Sequence, residues 1–431
     1  MTFQGSTADG DETAGEQPLA GLRVVDLTRA LSGPYATLLL AGLGAEVVKL
    51  EEPVHGDLAR DNSPYVGRDG VVVERRHEDD LSVSHLSRAR GKYGIAVDLK
   101  QPAGRDVFFD LVATSDVVVE NFTAGTADRL GIGYGAAAEV NRGIVYCSLS
   151  GFGAGASQGA KAMDILIQAM SGAMYASGAE GEPPVRLGLP VADLLAPVFG
   201  VIGILAALQQ RERTGRGQHV DVSMLGALTS FVAVENWRAM ELAGMTLRTG
   251  PTLQRLCPFG VFPCRDGHVA LVAVHDPLAN GLFRAMGRPE LGQDARFATR
   301  DARVANASEL EDLIAAWSSD RDVAETVAAL EAERVPAAPV RTPIDAVAAP
   351  EVVARGETDP LVHPVHGARE DLRTAGVPIR FSDASTGFAP MFPTRVGEHT
   401  ADVLKRLLGY DDERLASLRS QGAIGQADTA E

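Results

Sequence analysis

The chain has 431 residues, 45% hydrophobic and 23% charged, a length that predicts two to three domains able to bury their cores without disulfides. Its formal net charge of −17 excludes a broad nucleic-acid surface, which needs clustered cations, and leaves room for one local basic pocket. Three cysteines, Cys147, Cys257 and Cys264, are too few for a disulfide framework and match no zinc spacing, so the expectation is no metal and a reducing cytoplasm.

Residues 1–18 are polar and acidic, lack an apolar h-region, and read as a disordered leader. Residues 22–27 read as a buried strand, Gly33-Pro34 as the loop after it, and residues 35–43 as a helix ending at Gly44. A second strand follows over 45–50. Residues 69–80, dense in charge from Glu74 to Asp80, read as a solvated excursion. Strands over 94–99, 116–120 and 143–149, with a helix over 102–113, continue the alternation. That spacing predicts a doubly wound, Rossmann-like α/β sheet that binds its ligands at the carboxyl ends of the strands.

Further on come a basic turn (211–217), a strand (219–224), a helix (226–242) and a stretch without clear period (244–257). Asp266-Gly267 marks a hairpin turn between strands at 261–263 and 269–274. Short helices fill 280–349, strands and turns 359–392, and a helix pair 398–418. The resulting organisation is a large domain over 19–225, a connector over 226–259, a smaller α+β domain over 260–345, and a return to the large domain over 346–431.

Residues 187–208 form the longest apolar run and contain one charge, Asp193. A carboxylate among aliphatic residues is costly unless something holds it. Proline is tolerated in the first turn of a helix, so Pro197 predicts a helix over 198–210 that starts near Asp193 and sets its carboxylate at a positive N-terminus. Two roles fit: an N-cap, which is the commoner use of such an Asp, or a reactive group. Asp193, Pro197 and three glycines make the run a buried helix and no membrane span.

Other motifs carry less. Gly155-Ala-Ser157-Gln-Gly159 has the G-x-S-x-G form of serine hydrolases but lies several loop residues beyond its strand. Gly151-Phe-Gly153-Ala-Gly155-Ala resembles a degenerate dinucleotide fingerprint placed after the fifth strand, where the first would be needed. His363 and His366 lack neighbouring ligands and read as surface histidines. Lys92, Lys100, Arg129 and Lys161 fall near strand ends, where together they would make a phosphate pocket.

Several segments, taken together and in order, resemble the class III coenzyme A transferases, the family of formyl-CoA transferase, carnitine CoA-transferase and 2-methylacyl-CoA racemase. They are Gly33-Pro34 with Leu40-Ala-Gly-Leu-Gly-Ala-Glu-Val-Val-Lys-Leu-Glu51, Val97-Asp-Leu-Lys100, Val119-Glu-Asn-Phe122 with Ala127-Asp-Arg-Leu-Gly131, Asp193 with Gly203-Ile-Leu-Ala-Ala-Leu208, and Arg213-Thr-Gly-Arg-Gly-Gln-His-Val220. The similarity runs over roughly residues 19–425. It implies a two-domain protomer and an interlocked homodimer acting on an acyl-CoA and a carboxylic acid. It also implies that CoA is a substrate and that no cofactor is permanently bound. By position it places CoA against Leu31, Ser32, Val97 to Lys100, Asn121, Phe122, Thr123, Arg129 and Lys161, and makes Asp193 the nucleophile. The chemistry asks for the same thing, since a carboxylate can form both an anhydride and a thioester. A helix N-terminus is expected to keep Asp193 ionised while the apolar wall excludes water.

The chain departs from the family's branches at four places. Met163 stands before Asp164 where the racemase branch has a His, and a thioether moves no protons. Leu31 stands where the oxalate-handling branch has a Gln, and the glycine run of that branch is absent from 244–260. Glu52 replaces an Arg near the CoA adenine. The expected activity is therefore an acyl-CoA:carboxylate CoA-transferase, with an acyl-CoA epimerase as the alternative and a hydrolase at Gly155–Gly159 as a distant third.

Overall fold

The computed structural model describes residues 16–155, 160–253 and 255–425. The chain divides into two compact units, one of Met1–Ile167, Pro190–Leu228 and Val347–Glu431, the other of Gln168–Leu189 and Thr229–Ala346.

The first unit is built on a mostly parallel sheet. Strands β1 (Arg23–Asp26), β2 (Glu46–Glu51), β3 (Lys92–Val97), β4 (Val117–Glu120), β5 (Val145–Ser150) and β6 (His219–Ser223) lie in the order β3-β2-β1-β4-β5-β6. A short strand, Ile424–Gly425, adds antiparallel to the β3 edge. Runs such as Val24-Val25, Val47-Val48 and Val117–Val119 are buried to a residue because helices cover both faces of the sheet. One face packs against α1 (Ser32–Gly42) and α5 (Val191–Thr214) through Ala36, Leu40, Val201 and Ile204. The other packs against α3 (Pro102–Ala113) and the C-terminal helix Thr400–Leu408 through Val107, Phe108, Leu111, Val403 and Leu404. Strand order reverses between β1 and β4, so the carboxyl ends of these strands open the crevice that a doubly wound sheet offers a ligand.

Helix α5 lies close on the sheet because Gly200 and Gly203 have no side chains. A Cβ on Gly203 would sit 2.5 Å from Val220, and one on Gly200 2.9 Å from Leu149. The helix differs from its expected bounds. It starts at Val191 and runs through Thr214, into the segment read as a basic turn, and Pro197 lies inside it. At that place the proline has no N–H for the carbonyl of residue 193, four residues back. In length and composition α5 would suffice to cross a membrane, but one face of it is buried on α1, β5 and β6.

Of three further expectations, one holds in part and two fail for tertiary reasons. The charged excursion is solvated over 73–76, as expected, and is anchored by the small sheet of Tyr65–Gly67, Gly70–Val72 and Leu81–Ser82, where Asp80 is buried and accepts the amides of Arg76 and His77. His363 is no surface histidine: it is buried, with Nε2 3.0 Å from the Asp79 carbonyl, while His366, exposed as expected, reaches the Asp79 carboxylate at 2.7 Å. The helix expected over 226–242 is two, Met224–Val232 and Trp237–Leu242, the second capped by the Asn236 side chain.

The second unit carries an antiparallel sheet of Thr252–Leu253, Leu256–Cys264, Gly267–Val272 and Ala337–Pro339. Its hairpin turns at Arg265-Asp266 and pairs Cys264 with Gly267, one residue earlier than the Asp266-Gly267 signal placed the turn. Helices cover this sheet through Phe283, Leu310, Ile314 and Leu330. Strands thus begin inside the stretch read as a connector, and residues 168–189, assigned by sequence to the large domain, cluster with this unit.

Candidate active site

Asp193 occupies the first turn of α5 and is not its cap. Pro190 holds the N-cap position and gives no side-chain bond. Capping falls to Asp164, the first residue of α4 (Asp164–Met170), whose Oδ1 accepts the amides of Ala192 at 2.9 Å and Asp193 at 3.4 Å. The Asp193 carboxylate itself is half-buried and accepts no hydrogen bond from a described residue. Burial, and then the neighbouring Asp164 charge, push its pKa up to about 6, while Arg88 pulls the other way. At that value the carboxylate is ionised near neutral pH, as expected, but poised to take up a proton in mild acid.

Arg88 ends the short helix α2 (Val83–Arg88), an element the sequence reading missed. Its guanidinium donates to the Ala30 carbonyl at 2.6 Å and to Ser84 Oγ at 3.3 Å. Ala30 has φ +63°, a left-handed conformation that costs a residue with a Cβ about 1–2 kcal/mol. A buried charge network holds it there. The Ala30 amide donates to Asp57 Oδ1, Asp57 pairs with Lys49 at 2.7 Å, and Lys49 donates to the Thr28 carbonyl. Deeper in, Lys92 pairs with Asp26 at 3.1 Å and bonds Thr37. Lys92 is therefore fully buried and takes no part in a phosphate pocket, contrary to the sequence reading.

Leu31 precedes α1 and offers its carbonyl to Tyr35, and Ser32 begins the helix with a buried Oγ that has no partner among the described residues. Val97, Lys100 and Phe122 come together as expected, lining one cleft with Arg29, Leu50 and Glu52 at the carboxyl ends of β1, β2 and β3. Arg29 stands over the Phe122 ring at 5.5 Å. Glu52 is turned onto the amides of Val54 and His55.

Asn121, Thr123, Arg129 and Lys161, the other residues expected near CoA, are not among those lining this cleft. The Asn121 side-chain amide accepts from the Arg29 N–H at 2.8 Å and donates to its carbonyl at 2.9 Å, and so positions the loop that carries Arg29. Thr123 is exposed, and Arg129 donates to Thr126 Oγ1 at 2.7 Å. Lys161 is exposed two residues before Met163, itself 67% exposed. Ser157 and Gly159 of the hydrolase-like motif lie outside the described residues. In the glycine loop after β5, Ser150 Oγ accepts the Gly153 amide and Asp221 that of Ala154, so its polar atoms serve the turn.

Comparison with known proteins gives one consistent picture. The sequence profile of CoA-transferase family III matches residues 19–400. The chain is 37% identical over 394 residues to the succinyl-CoA:mesaconate CoA-transferase of Haloarcula hispanica, covering 90% of this chain and 95% of that one. To the formyl-CoA:oxalate CoA-transferase of Streptomyces coelicolor it is 34% identical over 424 residues, covering 94% and 99%. To the succinyl-CoA:glutarate CoA-transferase of Homo sapiens it is 31% identical over 417 residues, covering 96% and 91%. Among solved structures, a CAIB/BAIF family protein from Brucella suis superposes with a TM-score of 0.79 at 32% identity, over 91% of this chain and all of that one.

Proposed function

This chain belongs to CoA-transferase family III, and from that premise we propose that it moves CoA from an acyl-CoA thioester to a carboxylic acid through covalent intermediates on Asp193. The observation that carries this reading is the unbonded, half-buried Asp193 carboxylate in the first turn of α5, whose amides are capped by Asp164 and not by Asp193 itself.

In this scheme Asp193 attacks the thioester carbonyl, the C–S bond breaks, and CoA leaves as thiolate from a mixed anhydride. The thiolate then attacks the aspartyl carbonyl, releasing the first acid as carboxylate and leaving an aspartyl-CoA thioester. The incoming carboxylate attacks that thioester, and the thiolate returns to the new acyl carbon, restoring Asp193. No proton is gained or lost overall, so the site needs a nucleophile ionised at working pH and shelter from water, not an acid–base pair. CoA enters as substrate, and the scheme calls for no resident cofactor.

Epimerisation would need titratable groups on both faces of the α-carbon. Met163 supplies none, and Asp164 is committed to the α5 amides. A CoA site at Val97, Lys100 and Phe122 is supported by the cleft they share with Arg29. An interlocked homodimer is supported by the exposed stripe of Val198, Ile202 and Leu205 on α5, an apolar face that a second copy would cover. Mass spectrometry of the Asp193 peptide after incubation with an acyl-CoA and no acceptor tests the mechanism. A CoA adduct on Asp193 is expected; an adduct on another residue, or none during active transfer, would refute it.

A further inference from the structure

We infer that Arg88 receives the remote carboxylate of a dicarboxylic substrate, so that this chain prefers dicarboxylic acids and their mono-CoA thioesters to monocarboxylic ones. The inference rests on Asp193 being the point of acyl transfer and names the substrate class for that site.

A guanidinium carries five N–H donors in a rigid fork suited to a carboxylate. Arg88 directs donors to two neutral acceptors, Ala30 O and Ser84 Oγ, and no described carboxylate forms an ion pair with it. Two carboxylates bear on it from farther away, Asp57 and Asp193. Asp57 is already taken up by Lys49 and by the amides of Ala30 and Ala59. Asp193 is the reacting group. A half-buried cation so placed has fork donors left for an incoming anion, and partial dehydration makes that anion's binding stronger.

The surroundings fit such an anion attached to a short carbon chain. Arg88 lines a cleft of about 330 Å³ with Ala30, Leu31, Leu58, Ala59 and Asn62. Leu31 and Leu58 offer apolar surface for methylenes. The one acid on that wall, Asp61, pairs with Arg75 at 3.3 Å. Arg88 is near enough to Asp193 for its charge to act on the latter's ionisation. A dicarboxylate therefore has a place for each end, its reacting carboxyl at Asp193 and its remote one at Arg88. A monocarboxylate of equal length would turn a methyl group toward the guanidinium and leave it unpaired, the situation in which sites discriminate most.

The test compares succinate with butyrate as acceptors in the wild type, Arg88→Gln and Arg88→Lys proteins, with the preference read as the ratio of their kcat/KM values. Loss of a charge-assisted contact predicts that Arg88→Gln lowers the succinate preference about 10- to 100-fold, with Arg88→Lys keeping part of it. An unchanged ratio in Arg88→Gln overturns the inference. Equilibrium binding of the two free acids to Asp193→Asn protein, with and without Arg88→Gln, gives a reading without turnover. Succinate bound tightly only when Arg88 is present supports the inference even if no CoA transfer occurs, an outcome that would instead sink the transferase reading. Transfer without any preference for succinate would sink the inference and leave the transferase reading standing.

Discussion

Asp193→Asn separates a reactive carboxylate from a structural one, because the two readings give opposite signs for stability. In the folded chain the Asp193 pKa is pushed up from 3.8 to about 6 by burial and by Asp164. An acid whose folded pKa is raised binds its proton more tightly in the native state, so the native state is penalised once both states are ionised, above pH 6. At about 1.4 kcal/mol per unit the shift amounts to roughly 3 kcal/mol, and solvent at a half-buried group reduces this to about 1–2 kcal/mol. Asparagine has no charge to bury. The variant should therefore melt about 1–3 °C above wild type at pH 7.5, with the gain falling to about half at pH 5 and vanishing below pH 4. Transfer should be abolished in the same protein. Thermal melts of both proteins across this pH range, beside a transfer assay, make the measurement. A variant less stable than wild type at pH 7.5 would mean that the carboxylate holds the fold, and the argument for a poised nucleophile would collapse.

The same pKa predicts an acidic limb in kcat near pH 6, with activity lost as pH falls and Asp193 takes up its proton. Asp164→Asn keeps an oxygen for the α5 amides but removes the charge, so that limb should move to lower pH; Asp164→Ala should also cost about 1 kcal/mol of stability, seen as a lower melting point. Lys100→Ala should raise KM for the CoA thioester about tenfold or more and leave KM for the free acid within about twofold, whereas Arg129→Ala, whose side chain is turned onto Thr126, should do less. In heavy water the α-proton of a chiral 2-methylacyl-CoA should persist in the NMR spectrum through many turnovers; its loss at the rate of turnover, dependent on Asp193, would favour the epimerase.

What could be read from the sequence follows the range of the interaction behind each feature. Strands β1, β2 and β4 were legible because helices cover both faces of the sheet and the runs 24–25, 47–48 and 117–119 are apolar without a break. Asp193 was legible as the one charge in an apolar run, a contrast needing no partner to be noticed. Its cap was not, since Asp164 acts from 28 residues upstream and capping is read from adjacent positions. Lys92 misled for the same reason: it looks like a free cation at a strand end, and its partner Asp26 lies 66 residues earlier. Helix α2 escaped because Ser84, His85, Ser87 and Arg88 break any apolar stripe, and the approach of Arg88 to Asp193 is a product of the tertiary fold alone.

The buried charges under the site gain their meaning from the backbone above them. Lys49, Asp57, Asp26 and Lys92 are all buried, and an arrangement of this kind is weak support for stability, since dehydration offsets much of the attraction. Their bonds nevertheless converge on one short segment. Lys49 holds the Thr28 carbonyl, Asp57 holds the Ala30 amide, and Arg88 holds the Ala30 carbonyl. Fixed from both sides, Ala30 keeps its positive φ, and the chain then enters α1 with Leu31 and the unpartnered Ser32 hydroxyl at its start. Arg88 is thus part of the frame as well as of the cleft wall. On the proposed reading, a substrate carboxylate arriving at Arg88 would meet a guanidinium whose position is already set by the Ala30 carbonyl, so that little ordering remains to oppose binding. The network fits a site in which a rigid loop, and not a folding-on of substrate, aligns an acid with Asp193.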